Sequence, residues 1–190
     1  MSQAHINPAA IAASIEQAIN HPSLPPVSQW QPSLCGDIDI VIKSNGQWFF
    51  HGTPINRPQL VRLFSTVLRK EQTDFYLVTP VEKLKITVED APFVVVAVAI
   101  RDENHQQQLV FTTNVGDKVV LDTDHPLQVR SVAEQPKPYI LVRDQLEALI
   151  NRNVFYELVD KAEEKEIAGD YHLGLWSNGQ FFSLGLASEG

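Results

Sequence analysis

The feature that most constrains the fold is a run of strand-like segments between residues 84 and 142. Each segment is rich in β-branched and apolar residues, and polar turns separate neighbouring segments at hairpin-like spacings. The segments read LKITV, FVVVAVAI, QLVFTT, KVVLD, LQVRSV and YILV. Short polar connections favour antiparallel pairing. The sequence therefore predicts a strand-rich region with mainly antiparallel sheets.

The tetrapeptide Ser-Asn-Gly-Gln occurs twice, at 44–47 and at 177–180, each time between apolar flanks. Asn-Gly is the strongest two-residue hairpin signal, because both central residues of a type I′ turn need a positive φ. A two-residue turn at the first copy would pair Ile42 with Phe49 and place Trp48 on the opposite face.

The second copy, registered in the same way, places Trp176 and Phe181 opposite an apolar row that includes Leu175. In this register each hairpin carries an aromatic pair on one face, Trp48 with Phe50 in the first and Trp176 with Phe181 in the second. A helix, the other half of the chain or a ligand would cover these rings.

Apolar residues at helical spacing predict helices over 8–20, 53–71, 143–151 and 153–166. Arg-Pro-Gln-Leu begins the second helix at Arg57, and Arg-Asp-Gln-Leu begins the third at Arg143. This echo and the two Asn-Gly hairpins favour an internal duplication. The alternative is chance combined with common turn chemistry.

These patterns predict an α+β protein with a duplicated two-domain architecture and mainly antiparallel sheets. The N-terminal domain, residues 1–80, would hold a helix, a hairpin, a second helix and a strand. The C-terminal domain, residues 81–190, would be strand-rich and closed by helices and a final hairpin. A length of 190 residues with 44% apolar content is sufficient for two small cores.

Charge is distributed unevenly along the chain, whose net charge is −8. Residues 1–80 contain five basic and five acidic side chains, and the remaining residues contain 10 basic and 18 acidic ones. An acidic surface repels phosphate backbones, so a nucleic acid polymer is not an expected partner. Cys35 is the single cysteine, which fits a reducing compartment. Without a secretory signal or a membrane-spanning run, the expected location is the cytoplasm.

Two small clusters could support catalysis. Cys35 could act as a nucleophile with His51 as its base, and Asp37 with Asp39 could share acid and base roles or bind Mg²⁺. A buried thiol and a solvated carboxylate pair are the more common states of such residues. The six scattered histidines lack metal-ligand spacing, and no phosphate-binding glycine loop is present. No metal or cofactor is therefore expected.

An anion site is the remaining candidate. Arg57 and Arg143 each stand at a predicted helix start, where backbone N–H groups and the helix dipole favour negative charge. If the halves surround a pseudo-twofold axis, both arginines could hold one phosphate or carboxylate. The alternative is that both make ordinary ion pairs with acids such as Glu82 or Asp90.

Several short motifs resemble those of an uncharacterised bacterial family, domain of unknown function 1285, over about residues 35–185. The motifs are Gly46-x-Trp48, Gly52-x-Pro54-Ile55-x-Arg57, Leu63-Phe64, Thr79-Pro80-Val81-Glu82-Lys83, Glu89-Asp90-Ala91-Pro92-Phe93 and Arg152-x-x-Phe155-Tyr156-x-Leu158-Val159.

The resemblance implies a duplicated two-domain protein whose second domain is superficially pleckstrin-homology-like. It also implies a ligand site at the domain interface, a nucleotide-like ligand and a signalling role, with no known activity. Mapped onto this chain, the interface candidates are Trp48, Arg57, Glu82, Lys83, Asp90, Phe93, Arg143, Arg152 and Tyr156.

The leading hypothesis is a non-catalytic, cytoplasmic ligand-binding or sensor protein for a small anion. An enzyme based on the Cys35 or Asp37 clusters and a protein-interaction module are the alternatives.

Overall fold

The computed structural model describes residues 8–18, 24–133 and 135–187. The chain separates into two compact units, Met1–Asp90 and Ala91–Gly190. The predicted α+β class, the two-domain architecture and the mainly antiparallel pairing are confirmed.

In its described residues, the first unit contains two helices, one 3₁₀ turn and one six-stranded sheet. Its elements are α1 (Pro8–Ala18), the 3₁₀ turn (Val27–Gln29), β1 (Leu34–Ile42), β2 (Trp48–Phe50), β3 (Thr53–Pro54), α2 (Pro58–Thr66), β4 (Leu68–Glu71), β5 (Asp74–Val78) and β6 (Glu82–Val88). The helix predicted over 8–20 is present as α1, and residues 19–20 lie outside the described part. The first unit includes residues 81–90, which were predicted to belong to the second domain, because β6 pairs with β1 and β5.

The described part of the second unit contains a six-stranded sheet, one helix and a three-stranded sheet. Its elements are β7 (Phe93–Glu103), β8 (Gln106–Thr113), β9 (Lys118–Val120), β10 (Leu127–Val132), β11 (Gln135–Arg143), β12 (Leu146–Ile150), α3 (Arg152–Asp160), β13 (Glu163–Ile167), β14 (Asp170–Ser177) and β15 (Gln180–Leu186).

The two six-stranded sheets share one topology. Their strand orders are β3-β2-β1-β6-β5-β4 and β9-β8-β7-β12-β11-β10. Each sheet consists of two three-stranded antiparallel meanders, joined by one parallel strand pair. This pair is β1 with β6 in the first sheet and β7 with β12 in the second. The same strand order with one central parallel pair in both sheets supports the predicted duplication.

The two Ser-Asn-Gly-Gln segments form different turns. In the first, the N–H of Gly46 donates to the carbonyl of Lys43, and the N–H of Lys43 donates to Gln47, both at 2.8 Å. Gly46 has a φ of 84°, whereas Asn45 is not among the positive-φ residues. This geometry is the three-residue hairpin loop with a glycine bulge.

The three-residue loop shifts the first hairpin by one position from the predicted register. Ile42 pairs with Trp48, and Ile40 pairs with Phe50. Residues paired across antiparallel strands share a face, so both rings lie on the same face as the isoleucines. Trp48 is only 2% exposed. The prediction that Trp48 and Phe50 lie opposite the apolar row was therefore wrong.

The second copy forms the predicted two-residue turn, with φ values of 50° at Asn178 and 73° at Gly179. Trp176 pairs with Phe181 as expected. This hairpin belongs to the three-stranded sheet, outside the duplicated topology. The counterpart of the first hairpin is the β7–β8 hairpin, which turns at Asn104. The repeated tetrapeptide is therefore turn chemistry used twice and does not mark the duplication.

Three helix predictions need correction. The helix at Arg57 ends at Thr66, because Leu68–Glu71 pairs with β5. Residues 143–151 form a turn and β12, whose alternating burial has the period of a strand. The last predicted helix ends at Asp160. The predicted Arg-x-Gln-Leu helix start at Arg143 was therefore wrong.

Candidate functional site

A groove of about 730 Å³ opens in the first unit among α1, the β2–β3 turn and α2. Its lining comprises Pro8, Ala9, Ala12, Ala13, Glu16, Phe50, Thr53, Pro54, Ile55, Asn56, Arg57, Gln59, Leu60 and Leu63. This volume is in the range of about 300–1,000 Å³ that is usual for small-molecule sites.

The wall formed by α1 follows from helical periodicity. Ile11 and Ile15, one turn apart, are buried at 2% and 0% exposure. A neighbouring face of the same helix presents the small side chains of Ala9, Ala12 and Ala13 to the groove. Because alanine fills little volume beside the packed isoleucines, space remains between the two helices.

The opposite wall is apolar as well. Leu60 and Leu63 from α2 are half-buried, and Phe50 from β2 adds an aromatic ring. The turn after β3 contributes Ile55, whose N–H donates to the carbonyl of Trp48 at 2.8 Å. The groove can thus shelter an apolar group on both sides.

Arg57 is the basic residue of this lining and the N-cap of α2. Its carbonyl accepts hydrogen bonds from the N–H groups of Leu60 (3.0 Å) and Val61 (3.1 Å). Its side chain makes no capping hydrogen bond. Within the described residues the exposed guanidinium has neither a hydrogen-bond nor an ion-pair partner. An arginine in this state is available to a carboxylate or phosphate.

Glu16 is the acidic residue of the lining. Its exposed carboxylate puts one negative charge on the α1 wall, whereas Arg57 puts one positive charge on α2. The two charged groups balance, which disfavours a ligand that carries several negative charges.

Other predicted site residues also belong to the first unit. Trp48 lies in the core, and Glu82 and Lys83 lie on β6. Glu82 is half-buried next to Lys83. The ammonium of Lys83 lies 2.8 Å from the carboxylate of Glu71, which also pairs with Arg69 at 2.6 Å. The hydrogen bond from Lys83 lowers the pKa of Glu71, with a further contribution from Arg69. The same bond raises the pKa of Lys83. Lys83 thus has a structural ion-pair partner.

Arg143 lies at the end of β11, where its guanidinium contacts Asp117 and Phe93. Nη1 donates to Oδ2 of Asp117 at 2.6 Å. The guanidinium carbon lies 4.9 Å from the ring centre of Phe93, which is fully buried. Of the predicted site residues, the structure therefore brings Arg143 and Phe93 together. The ion-pair alternative therefore applies to Arg143, with Asp117 as a partner.

The remaining predicted residues lie on α3 or at a unit boundary. Arg152 is the first residue of α3, and its guanidinium lies 3.5 Å from the side-chain oxygen of Gln135. Tyr156, on the same helix, is 57% exposed. Asp90 is half-buried at the end of the first unit.

The geometry disfavours the Cys35–His51 pair. Nδ1 of His51 lies 3.1 Å from Asp39, and the N–H of His51 donates to the Asp39 carbonyl. Cys35 precedes Asp39 by four strand residues, a separation of about 13 Å at the usual strand rise. The hydrogen-bonding partner of the His51 ring is therefore Asp39. The described residues contain no group of three His, Cys, Asp or Glu side chains that could hold a metal.

No helix within the described ranges is long and apolar enough to cross a membrane.

Taken together, these features define a two-domain α+β protein with a duplicated sheet topology and an apolar groove in its first domain. The chain belongs to the DUF1285 family. Residues 25–91 match the N-terminal domain of unknown function (DUF1285), and residues 92–184 match the C-terminal domain of this protein of unknown function. This confirms the resemblance inferred from the short motifs.

Two solved structures are similar. A DUF1285 family protein from Silicibacter pomeroyi DSS-3 shares 47% identity over 93% of this chain and 94% of its own, with a TM-score of 0.81. A DUF1285 family protein from Shewanella baltica OS155 shares 25% identity over 64% of this chain and 91% of its own, with a TM-score of 0.53. None of the curated proteins matches this chain.

Sequence reasoning found Arg57 but missed the groove beside it. The family match begins at residue 25, so α1 and its alanine wall precede the matched region. The available signal was the spacing of Ala9, Ala12 and Ala13 beside an isoleucine stripe. A stripe of alanines is also typical of ordinary helix packing, so the signal alone indicates no site.

Proposed function

We propose that the protein is a non-catalytic small-ligand-binding protein, and that its first domain holds an anion with an apolar chain or ring. The observation that carries this proposal is the exposed guanidinium of Arg57, which has no partner among the described residues, in an apolar groove. A sensor role in bacterial signalling and a cytoplasmic location belong to the same proposal.

The apolar walls support a ligand with a hydrocarbon part. Each methylene group transferred from water to such a surface contributes about 0.8 kcal/mol. A chain of several methylenes between the alanines of α1 and the leucines of α2 would therefore give measurable affinity without many polar contacts.

The charges support a singly charged head group. Arg57 can donate two parallel hydrogen bonds to a carboxylate, and the N-terminus of α2 adds a favourable dipole. Glu16 on the facing helix opposes further negative charge. A fatty carboxylate fits this pattern better than a nucleotide. The nucleotide-like ligand inferred from the family resemblance, and a site shared by Arg57 and Arg143, stay predictions.

Thermal-shift measurements with three probes test the proposal. Decanoate should raise the melting temperature of the wild type, decanol should raise it less, and adenosine monophosphate should have little effect. Arg57→Gln should abolish the difference between decanoate and decanol. Arg62→Gln is the matched control, because Arg62 is an exposed arginine on α2 outside the groove lining.

Two results would count against the proposal. One is a decanoate shift that is equal in the wild type and Arg57→Gln. The other is a stronger shift with adenosine monophosphate that depends on Arg57, which would favour the nucleotide-like alternative.

A further inference from the structure

The strand β7 extends well beyond one of its neighbours. It pairs with β12 only from Phe93 to Val95. From Ala97 to Glu103 it pairs with β8 alone, in unbroken register. Within the described residues no strand pairs with the other edge of this seven-residue segment. Every second residue there leaves its N–H and C=O groups without a ladder partner.

The duplicated sheet shows what this edge lacks. In the first unit, β1 is the counterpart of β7, and β6 pairs with it from Leu34 to Ile42, interrupted by one irregularity. The counterpart of β6 is β12, whose pairing with β7 ends at Ile150. The open edge is therefore a specific departure of the second sheet from the topology that both units share.

The first half of the open edge has little of the usual protection against strand pairing. The segment contains no proline; its first four residues read AVAI, and its three charges, Arg101, Asp102 and Glu103, all lie at its C-terminal end. Val96 and Ile100 remain 46% and 47% exposed, although α3 contacts β7. Edge strands of monomeric proteins are usually short, charged, bulged or covered. Here the bulge between Val95 and Ala97 precedes the regular segment and leaves it free to pair.

We propose that this edge binds a second copy of the chain, with the two β7 segments antiparallel about a twofold axis at Ile100. Within β7 only residues 97–103 have a free edge, so their midpoint, Ile100, fixes the register. Ile100 then faces Ile100 of the second copy, and Arg101 faces Ala99. Asp102 faces Val98, and Glu103 faces Ala97. No charged residue opposes a like charge, which makes the segment compatible with itself.

The contact would join the two second-unit sheets into one continuous sheet across the axis. Main-chain hydrogen bonds would supply most of the attraction, as in other cases of strand addition. A single strand pair buries a small area, so the association is expected to be weak and concentration-dependent. This inference is independent of the groove and of its ligand.

Sedimentation over a range of protein concentrations tests the proposal. The wild type should pass from monomer to dimer, and Ile100→Lys should stay monomeric because two lysines would meet at the axis. Val132→Lys is the matched control, because Val132 is 46% exposed on β10 of the same sheet. It should dimerise like the wild type.

A cross-linking variant keeps the test independent of the folding of Ile100→Lys. Directly opposed residues of antiparallel strands have Cα atoms about 4.5–5.5 Å apart, within disulfide reach. In a Cys35→Ser background, Ile100→Cys should form a covalent dimer with diamide, which accepts the two electrons and protons of the thiols. Val132→Cys in the same background should not. A wild type that stays monomeric, or equal cross-linking at both positions, would overturn the proposal.

Discussion

The guanidinium of Arg143 and the carboxylate of Asp117 form an ion pair with 2.6 Å between Nη1 and Oδ2. Their side chains are only 17% and 25% exposed, and the ring of Phe93 covers one face of the guanidinium. Arg143 thus has a structural role inside the second unit. Arg57 has no such partner among the described residues, so the two arginines that looked equivalent in the sequence differ in their contacts.

Replacing each arginine with alanine should separate these roles. Arg143→Ala leaves Asp117 partly buried without its partner, which should lower the free energy of unfolding by about 1–3 kcal/mol. Arg57→Ala removes an exposed side chain and should change the free energy of unfolding by less than about 0.5 kcal/mol. Urea unfolding of the full chain measures both. Equal losses for the two variants would contradict the assignment.

The two Ser-Asn-Gly-Gln turns should respond differently to alanine at asparagine. Asn178 has a φ of 50°, and its side chain accepts a 2.8 Å hydrogen bond from Gln108. Asn178→Ala should therefore cost about 2 kcal/mol in unfolding free energy. Asn45→Ala loses an exposed bond from the N–H of Gln47 and should cost below about 1 kcal/mol. A larger loss at Asn45, measured by urea unfolding, would show that the turn assignment is wrong.

Gly174 on β14 is required by close packing. A Cβ atom there would lie 2.4 Å from the carbonyl oxygen of Phe182 and 2.5 Å from the ring of Phe181. Gly174→Ala should therefore destabilise the protein by about 1–3 kcal/mol, since the backbone must shift.

Gly36 on β1 provides the matched strand control. A Cβ atom there would meet Leu84 at 3.5 Å, an ordinary contact. Thermal melts of both variants compare the two sites, and a Gly174→Ala protein as stable as Gly36→Ala would refute the close approach.

The ion pairs of Glu71 predict a pH dependence. The hydrogen bond from Lys83 lowers the pKa of Glu71 below its ordinary value of 4.5. A carboxyl whose pKa is lower in the folded state stabilises the fold above its unfolded pKa, and this contribution disappears as the pH falls through the folded value. Glu71→Gln should be less stable than the wild type at pH 7, and the difference should shrink below about pH 4.5. Urea unfolding at both pH values measures the difference, and a gap that widens in acid would contradict this.

The two identical tetrapeptides show why the hairpin registers could be predicted only in part. The N–H of Asn178 donates to the carbonyl of Gln107, a contact with a distant strand of the same unit. Asn45 instead bonds locally to Gln47. Local sequence fixes that a turn occurs, because asparagine and glycine tolerate positive φ. Neighbouring strands decide which turn forms, and a single sequence does not show them.

The candidate site was predictable to a similar extent. The helix start at Arg57 follows from Pro58 and the apolar spacing after it.

The segment Leu146–Ile150 has apolar residues that suit a helix or a buried strand, and pairing with β7 and β11 selects the strand. The groove depends on how α1 packs beside α2, which is a tertiary relationship without a sequence motif.

Calorimetric titration with decanoate of the wild type, Arg57→Gln and Arg62→Gln tests whether Arg57 binds the head group of a ligand in the groove. We expect one saturable site in the wild type and unchanged affinity in Arg62→Gln. The affinity of Arg57→Gln should be at least about tenfold weaker, as expected for loss of a charge-assisted hydrogen bond. Equal affinities in all three proteins, or no binding to a folded wild type, would contradict this expectation.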